Sequence, residues 1–334
     1  MKRRLFTAIF AILGIVLLIL DSSTAIAGAQ DGIKLCLMTV IPSLFPFFVL
    51  SVLLTGAMGG FRSPLLKPIG RLCGIPEGAE ILLLTGLLGG YPVGAQAVAT
   101  VWKNGQITMT DARRLLGFCS NAGPSFFFGI VAAQFGSVTI GLVLWLIHVI
   151  SALAVGALLP GKSTRTAAVE KVAAADINTA LRRSLSITAN VCGWIVLFRI
   201  VIAYLSKIVA GRLPECVYIL LFGVLELANG CCMLPAVDNI ALRLIIAAFM
   251  LGLGGICVCM QTASVTGGLG LGMYLPGKLL QSLISAFLAA LIAPLFYPLT
   301  GIAVINALWM LPAIFCILAL LKKSVAFQRV MVYN

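Results

Sequence analysis

Residues 85–129 read TGLLGGYPVGAQAVATVWKNGQITMTDARRLLGFCSNAGPSFFFG, and two interruptions there break otherwise membrane-grade sequence. The first is Gly89-Gly90-Tyr91-Pro92-Val93-Gly94 and the second is Ser120-Asn121-Ala122-Gly123-Pro124-Ser125. Proline removes a backbone donor and clashes with the preceding helical turn, and glycine weakens a helix further. The residues alone leave two readings open. The breaks are tight interhelical turns at a membrane surface, or they are helices that stop part-way. In the second case the freed backbone groups must line protein or a wet cavity, because lipid cannot satisfy them. Broken helices of that kind hold a solute near the bilayer midplane in transporters.

Composition supports the membrane setting. The chain has 334 residues, of which 61% are hydrophobic and only 10% charged, well below the share in a soluble domain. Its mean hydropathy is +1.13. Several windows exceed the roughly 20 apolar residues that span hydrocarbon. An all-α polytopic membrane protein is therefore expected, with the lipid bilayer as its main surroundings. The net charge of +13 comes from basic residues beside spans, such as Lys2, Arg3 and Arg4 or Lys162, Arg165, Lys171, Arg182 and Arg183. That placement follows the positive-inside rule, and no basic domain stands apart to bind nucleic acid. Ten cysteines without a CxxC pair, and His148 as the sole histidine, speak against a zinc site. No metal or cofactor is expected.

In chain order, residues 1–32 carry a first apolar helix and loop. Ala25-Ile26-Ala27 resembles a cleavage site, but further spans follow directly and favour an uncleaved helix. Residues 33–159 form a first membrane repeat, with spans over Ile33–Met58 and Val138–Leu159 flanking the interrupted stretch. Pro42 and Pro46 predict a kinked or partly re-entrant segment there. Thr108-Met109-Thr110-Asp111 supplies N-cap chemistry for a helix through Arg113 and Arg114. Residues 160–183 are a polar cytoplasmic linker. A second repeat, 184–321, holds spans over Leu185–Val209, Val217–Leu234, Ile240–Val265, Leu279–Leu299 and Ile302–Leu321, before a basic tail at 322–334.

The halves echo one another. Leu88-Gly89-Gly90 through Gln96 can be laid on Leu253-Gly254-Gly255 through Gln261, so that Leu, Gly, Gly, Val and Gln coincide. Weak symmetry of this type is what inverted-repeat transporters leave in sequence.

Gly90-Tyr91-Pro92-Val93-Gly94-Ala95 and Arg114-Leu115-Leu116-Gly117-Phe118-Cys119-Ser120-Asn121-Ala122-Gly123-Pro124 resemble the YlbJ family of sporulation integral membrane proteins, with their nucleoside-recognition Gate domains. Pro42–Phe48 and Leu225-Glu226-Leu227-Ala228-Asn229-Gly230 extend the resemblance. It implies a carrier related in architecture to concentrative nucleoside transporters. In spore formers it implies movement of dipicolinic acid across the outer forespore membrane. Two departures stand out: Gln96 replaces a Lys common after Gly-Ala, and Arg199 interrupts an apolar run.

Dipicolinate is a small planar dianion, and its removal from water requires donors and positive potential. Half-helix N-termini after Pro92 and Pro124 offer both. The expected substrate-binding residues are Tyr91, Pro92, Gly94, Gln96, Ser120, Asn121, Gly123, Pro124, Ser125, Gln261 and Ser264. Arg199 and Glu226 are intramembrane charges that either pair with one another or, with Asn229, serve a coupling ion. No HExxH, P-loop or GxSxG motif is present, so no enzymatic chemistry is expected. The alternatives to an organic-anion carrier are a nucleoside or other small-solute carrier and a non-transporting scaffold for spore assembly.

Overall fold

A computed structural model describes residues 2–57, 64–161 and 176–296, with residue 312 and residues 316–319. The expected Ile302–Leu321 span, the 322–334 tail and most of the central linker lie outside the described residues. Every element among those described is a helix, without a strand. In order they form α1 (Lys2–Leu20), α2 (Ser22–Leu35), α3 (Ile41–Ala57), α4 (Lys67–Cys73), α5 (Ile81–Gly89), α6 (Val93–Lys103) and α7 (Met109–Leu115). Then come α8 (Pro124–Phe135), α9 (Val138–Leu158), α10 (Ile177–Val209), α11 (Glu215–Leu225) and α12 (Leu227–Met233). The described chain closes with α13 (Ile240–Leu253), α14 (Gly255–Thr266) and α15 (Tyr274–Phe296).

Five helical stretches are long and apolar enough to cross a bilayer: Ser22–Leu54, Val138–Leu158, Ile177–Val209, Ile240–Leu269 and Tyr274–Phe296. Their surfaces are inverted relative to a soluble fold. On α9, Leu142, Leu146 and Ile150 face outward while His148 and Ser151 are buried. Apolar side chains outside and polar ones inside suit hydrocarbon as the solvent. The chain is an all-α, polytopic integral membrane protein.

Several elements differ from the sequence reading. The second span begins at Ser22, not Ile33, and runs through a π-helical turn at Cys36–Val40 into α3. Pro42 and Pro46 deny α3 two backbone donors, and the wider turn just before them absorbs the mismatch. Helix α10 starts at Ile177, inside the stretch assigned to the linker, because Asp176 accepts from the Thr179 amide and caps it. The expected Val217–Leu234 span is two short helices broken at Glu226, and the Ile240–Val265 span is broken at Gly254, with φ 78°. Val138–Leu158 matches its expected limits within one residue.

Helix α2 lies along α10, where Gly28 and Gly32 admit the backbone of Ile200 and Val196 to van der Waals contact. Helix α13 packs along α15, and α9 crosses α15. One apolar cluster joins Val40, Leu44 and Phe48 to Val191 and Ile195. A second joins Tyr91, Phe127 and Ile130 to Leu227, Leu244 and Met250. The interrupted segments meet between these two clusters.

Candidate functional site

The site is built from backbone that is not helical. Helix α5 ends at Gly90, whose φ of 75° needs glycine, and α6 restarts at Val93. Residues Ser120–Gly123 run extended from the end of α7 to the start of α8. The two interruptions touch backbone to backbone, since Gly90 and Gly123 lie too close for side chains on either. A methyl group at Gly86 or Gly94 would overlap the Cys119 carbonyl, so the second interruption is clasped between α5 and α6.

The third break places Glu226 in extended conformation, φ −142° and ψ 114°. Its carboxylate accepts from the Ala228 amide at 2.9 Å and the Asn229 amide at 2.6 Å. A buried carboxylate inside a continuous helix would find every backbone N–H already used. Breaking the helix supplies free amides and the positive end of α12. The fourth break, at Gly254, packs beneath the Tyr91 hydroxyl.

The first three breaks line one pocket with about 480 Å³ of space between its walls, open mouth included. Gly90, Tyr91, Gly123, Ser125, Glu226 and Gln261 contribute to the wall, and Phe48, Val191 and Ile195 close it on the α3–α10 side. It is a mostly apolar cleft with a few converging polar groups, the common form of a small-molecule site.

The structure thus brings Tyr91, Gly123, Ser125, Glu226 and Gln261 together around the pocket. Pro92 and Gly94 are buried behind it, and Pro124 opens α8. Ser120 is fully buried and its hydroxyl has no partner. Gln96 and Ser264 face outward, and Ser264 donates to the Gln261 carbonyl. Arg199 does not pair directly with Glu226. It donates to Asn229 Oδ1 and, at 3.3 Å, to Asp31. Asp31 lies 168 residues away in sequence, and no local spacing pointed to it.

Asn121 turns away from the pocket into a buried polar cluster that sequence reasoning missed. Its Oδ1 accepts from Lys278 Nζ at 3.2 Å and from Gln281 Nε2 at 3.1 Å. Lys278 Nζ also donates to Gln281 Oε1 at 2.7 Å. His148 Nε2 accepts from the Ala122 amide, while Ser151 and Ser285 oxygens lie 2.7 Å apart. Lys278 is 1% exposed, and among the described residues no carboxylate forms an ion pair with it. Its ammonium lies 5.3 Å from the Tyr91 ring centroid and 5.9 Å from that of Tyr274. The signal was present: Lys278, Gln281 and Ser285 form an i, i+3, i+7 polar stripe on an apolar helix. Drawing the span from Leu279 left its charged first member outside.

A second buried cation, Arg114, is 3% exposed. It donates to the carbonyls of Cys73, Gly74, Gly156, Leu159 and Pro160. These carbonyls lie at or just past the C-terminal ends of α4 and α9, where helices leave acceptors unused.

No family model matches the chain and no solved structure matches it. The sporulation integral membrane protein YlbJ of Bacillus subtilis is 34% identical over 135 residues, covering 39% of this chain and 32% of that protein. The alignment thus spans about a third of the relative's length. Over that stretch, the chain is similar to the YlbJ sporulation integral membrane protein.

Proposed function

We propose that this protein carries a small organic anion across a membrane, with dipicolinate, the solute implied by the family resemblance, as the first to test. The observation that carries this reading is the convergence of three helix interruptions, at Gly90, Gly123 and Glu226, on one pocket inside a polytopic bundle. Interrupted helices expose backbone donors and acceptors at membrane depth, a cost that is tolerated where they face a cavity. The relative's description as a sporulation integral membrane protein, together with the resemblance, supports the outer forespore membrane of a spore-forming cell as the location to test.

The charges support an anion over a neutral solute. The carboxylate of Glu226 is directed at two backbone amides, so its charge is countered locally. Lys278, beneath Tyr91, has no such counter-charge among the described residues. Glu226 with Asn229 remains the candidate for a coupling ion.

The test is uptake of labelled dipicolinate into proteoliposomes, with and without a proton gradient, using unlabelled uridine and benzoate as competitors. Saturable uptake blocked by dipicolinate and lost in Asn121→Ala or Glu226→Gln is the expected result. Competition by uridine would redirect the assignment to a nucleoside. Folded protein that takes up neither would leave the scaffold reading.

A further inference from the structure

We propose that Lys278 is the carboxylate-recognition residue of the pocket and that the Tyr91 ring is the cover lying between them. The inference rests on the transport reading and assigns its anion-binding group.

The polar surroundings of Lys278 are incomplete for a buried cation. Its ammonium has three donors, and two neutral side-chain oxygens, from Asn121 and Gln281, accept from it. The faces of Tyr91 and Tyr274 add a cation–π contribution. None of these groups carries a formal negative charge, whereas a buried charge is normally matched by one or by a dense shell of dipoles. A carboxylate brought by the solute would complete the set.

Tyr91 belongs to both places. It lines the pocket with one part of its surface and rests against the Lys278 ammonium with its ring. Its hydroxyl is buried without a partner, and the buried Tyr274 hydroxyl, beside that of Thr262, lies close by. The two phenol oxygens converge on Gly254, at 3.0 and 3.6 Å from where a side chain there would begin. Buried polar groups are nearly always hydrogen-bonded, and the orphan Tyr91 hydroxyl beside an unmatched ammonium marks a place shaped for an acceptor. The pocket wall is thin here. Ala122 and Gly123 line it, while Asn121, the residue before them, is bonded to Lys278. A turn of the Tyr91 side chain past Gly90 and Gly123 would open the pocket onto the ammonium. The entering carboxylate would accept from Nζ, with the phenol hydroxyls as further donors.

The experiment measures binding apart from transport, through the ligand-induced rise in melting temperature of detergent-solubilised protein with dipicolinate, benzoate or uridine. Proteoliposome uptake follows on the same preparations. Three variants are compared: Lys278→Gln removes the charge, Lys278→Arg keeps it, and Gln281→Glu supplies a resident counter-charge 2.7 Å from the ammonium. Lys278→Gln and Gln281→Glu should each weaken dipicolinate binding by roughly 30-fold or more, the usual effect of losing a buried charge partner. Lys278→Arg should retain measurable binding. Gln281→Glu keeps side-chain size and adds an ion pair, so it remains informative if Lys278→Gln fails to fold. Unchanged dipicolinate affinity in folded Lys278→Gln or Gln281→Glu overturns this assignment while leaving the carrier intact. Binding of uridine but not dipicolinate by the wild type overturns it together with the anion reading. Binding of neither removes the transport reading and this site with it.

Discussion

Arg114 and Lys278 are both cations buried inside the bundle, and neither has a carboxylate partner among the described residues. Their surroundings differ in kind. The Arg114 fork reaches five backbone carbonyls, two at the end of α4 and three at the end of α9, and stacks 5.2 Å from Phe118. The acceptors lie at or just past helix ends, where carbonyls lack intrahelical donors, and the negative ends of two helix dipoles replace a counter-ion. Lys278 has two side-chain oxygens and two aromatic faces. Backbone carbonyls fixed by helices cannot leave, whereas a tyrosine ring can rotate. The first arrangement joins elements permanently, and the second leaves a charge that a ligand can claim.

The largest expected effect breaks the first arrangement. Arg114→Met removes the shared donor of five carbonyls at once and should lower unfolding stability by about 3–5 kcal/mol, the range for removing one partner of a buried polar set. Arg114→Lys should recover only part of it, since a single ammonium cannot serve acceptors on both helices. Lys278→Met should cost less, about 1–2 kcal/mol, because it removes a buried charge and strands one side-chain oxygen, Gln281 Oε1, while Asn121 keeps its bond from Gln281. Thermal unfolding in detergent compares the three. Equal losses in Arg114→Met and Lys278→Met would erase the distinction between the two cations.

A somewhat smaller effect tests the scaffold that holds both. Gly94→Ala places a methyl group against the Cys119 carbonyl and must shift the Ser120–Gly123 segment. Overpacking of this type costs about 1–3 kcal/mol. Because Asn121 sits on that segment and touches Lys278, solute uptake should fall along with the melting temperature. A stability loss with normal uptake would show that the segment's position does not matter to the site.

Glu226→Gln should have a smaller effect on folding, about 1–2 kcal/mol, since its single amide oxygen keeps one of the two bonds to α12 and leaves the other backbone N–H without an acceptor. Its larger consequence should be on the proton-gradient dependence of uptake, if the carboxylate serves the coupling ion. Uptake that keeps its full gradient dependence in Glu226→Gln would leave Glu226 as a helix cap alone.

The sequence made some of this arrangement legible and hid the rest for physical reasons. The breaks at 90–92 and 120–123 announce themselves because Gly and Pro act locally. The Glu226 break does not, because Leu225-Glu226-Leu227 contains no helix breaker, and the cause is the burial of a carboxylate that needs free amides. Arg114 lies in a recognisable motif, and the Thr108 cap of its helix was readable, with the hydroxyl accepting from Asp111 N at 3.1 Å. Its role was not readable, because its acceptors come from segments about 40 residues to either side. Lys278 falls just outside the expected Leu279–Leu299 span, yet helix α15 begins at Tyr274 and carries Pro276 in its first turn. Proline is well tolerated there, where no intrahelical donor is missed.

The smallest expected effect concerns a third cation, Arg199, and sharpens the comparison from the other side. Arg199 combines features of both: it bonds a neutral amide at Asn229 and a carboxylate at Asp31. Asp31 is 65% exposed, and ion pairs of that exposure contribute up to about 1 kcal/mol. Asp31→Asn should therefore shift the melting temperature only slightly. It should also leave dipicolinate affinity unchanged, because Asn229 still holds the guanidinium and Arg199 is absent from the pocket wall. The variant asks whether any unmatched positive charge in this bundle attracts the solute, or only the one behind Tyr91. If freeing Arg199 from Asp31 tightened dipicolinate binding, general positive potential would explain anion preference and Lys278 would lose its special standing. If affinity changes with Lys278 and not with Asp31, then position rather than charge alone selects the ligand.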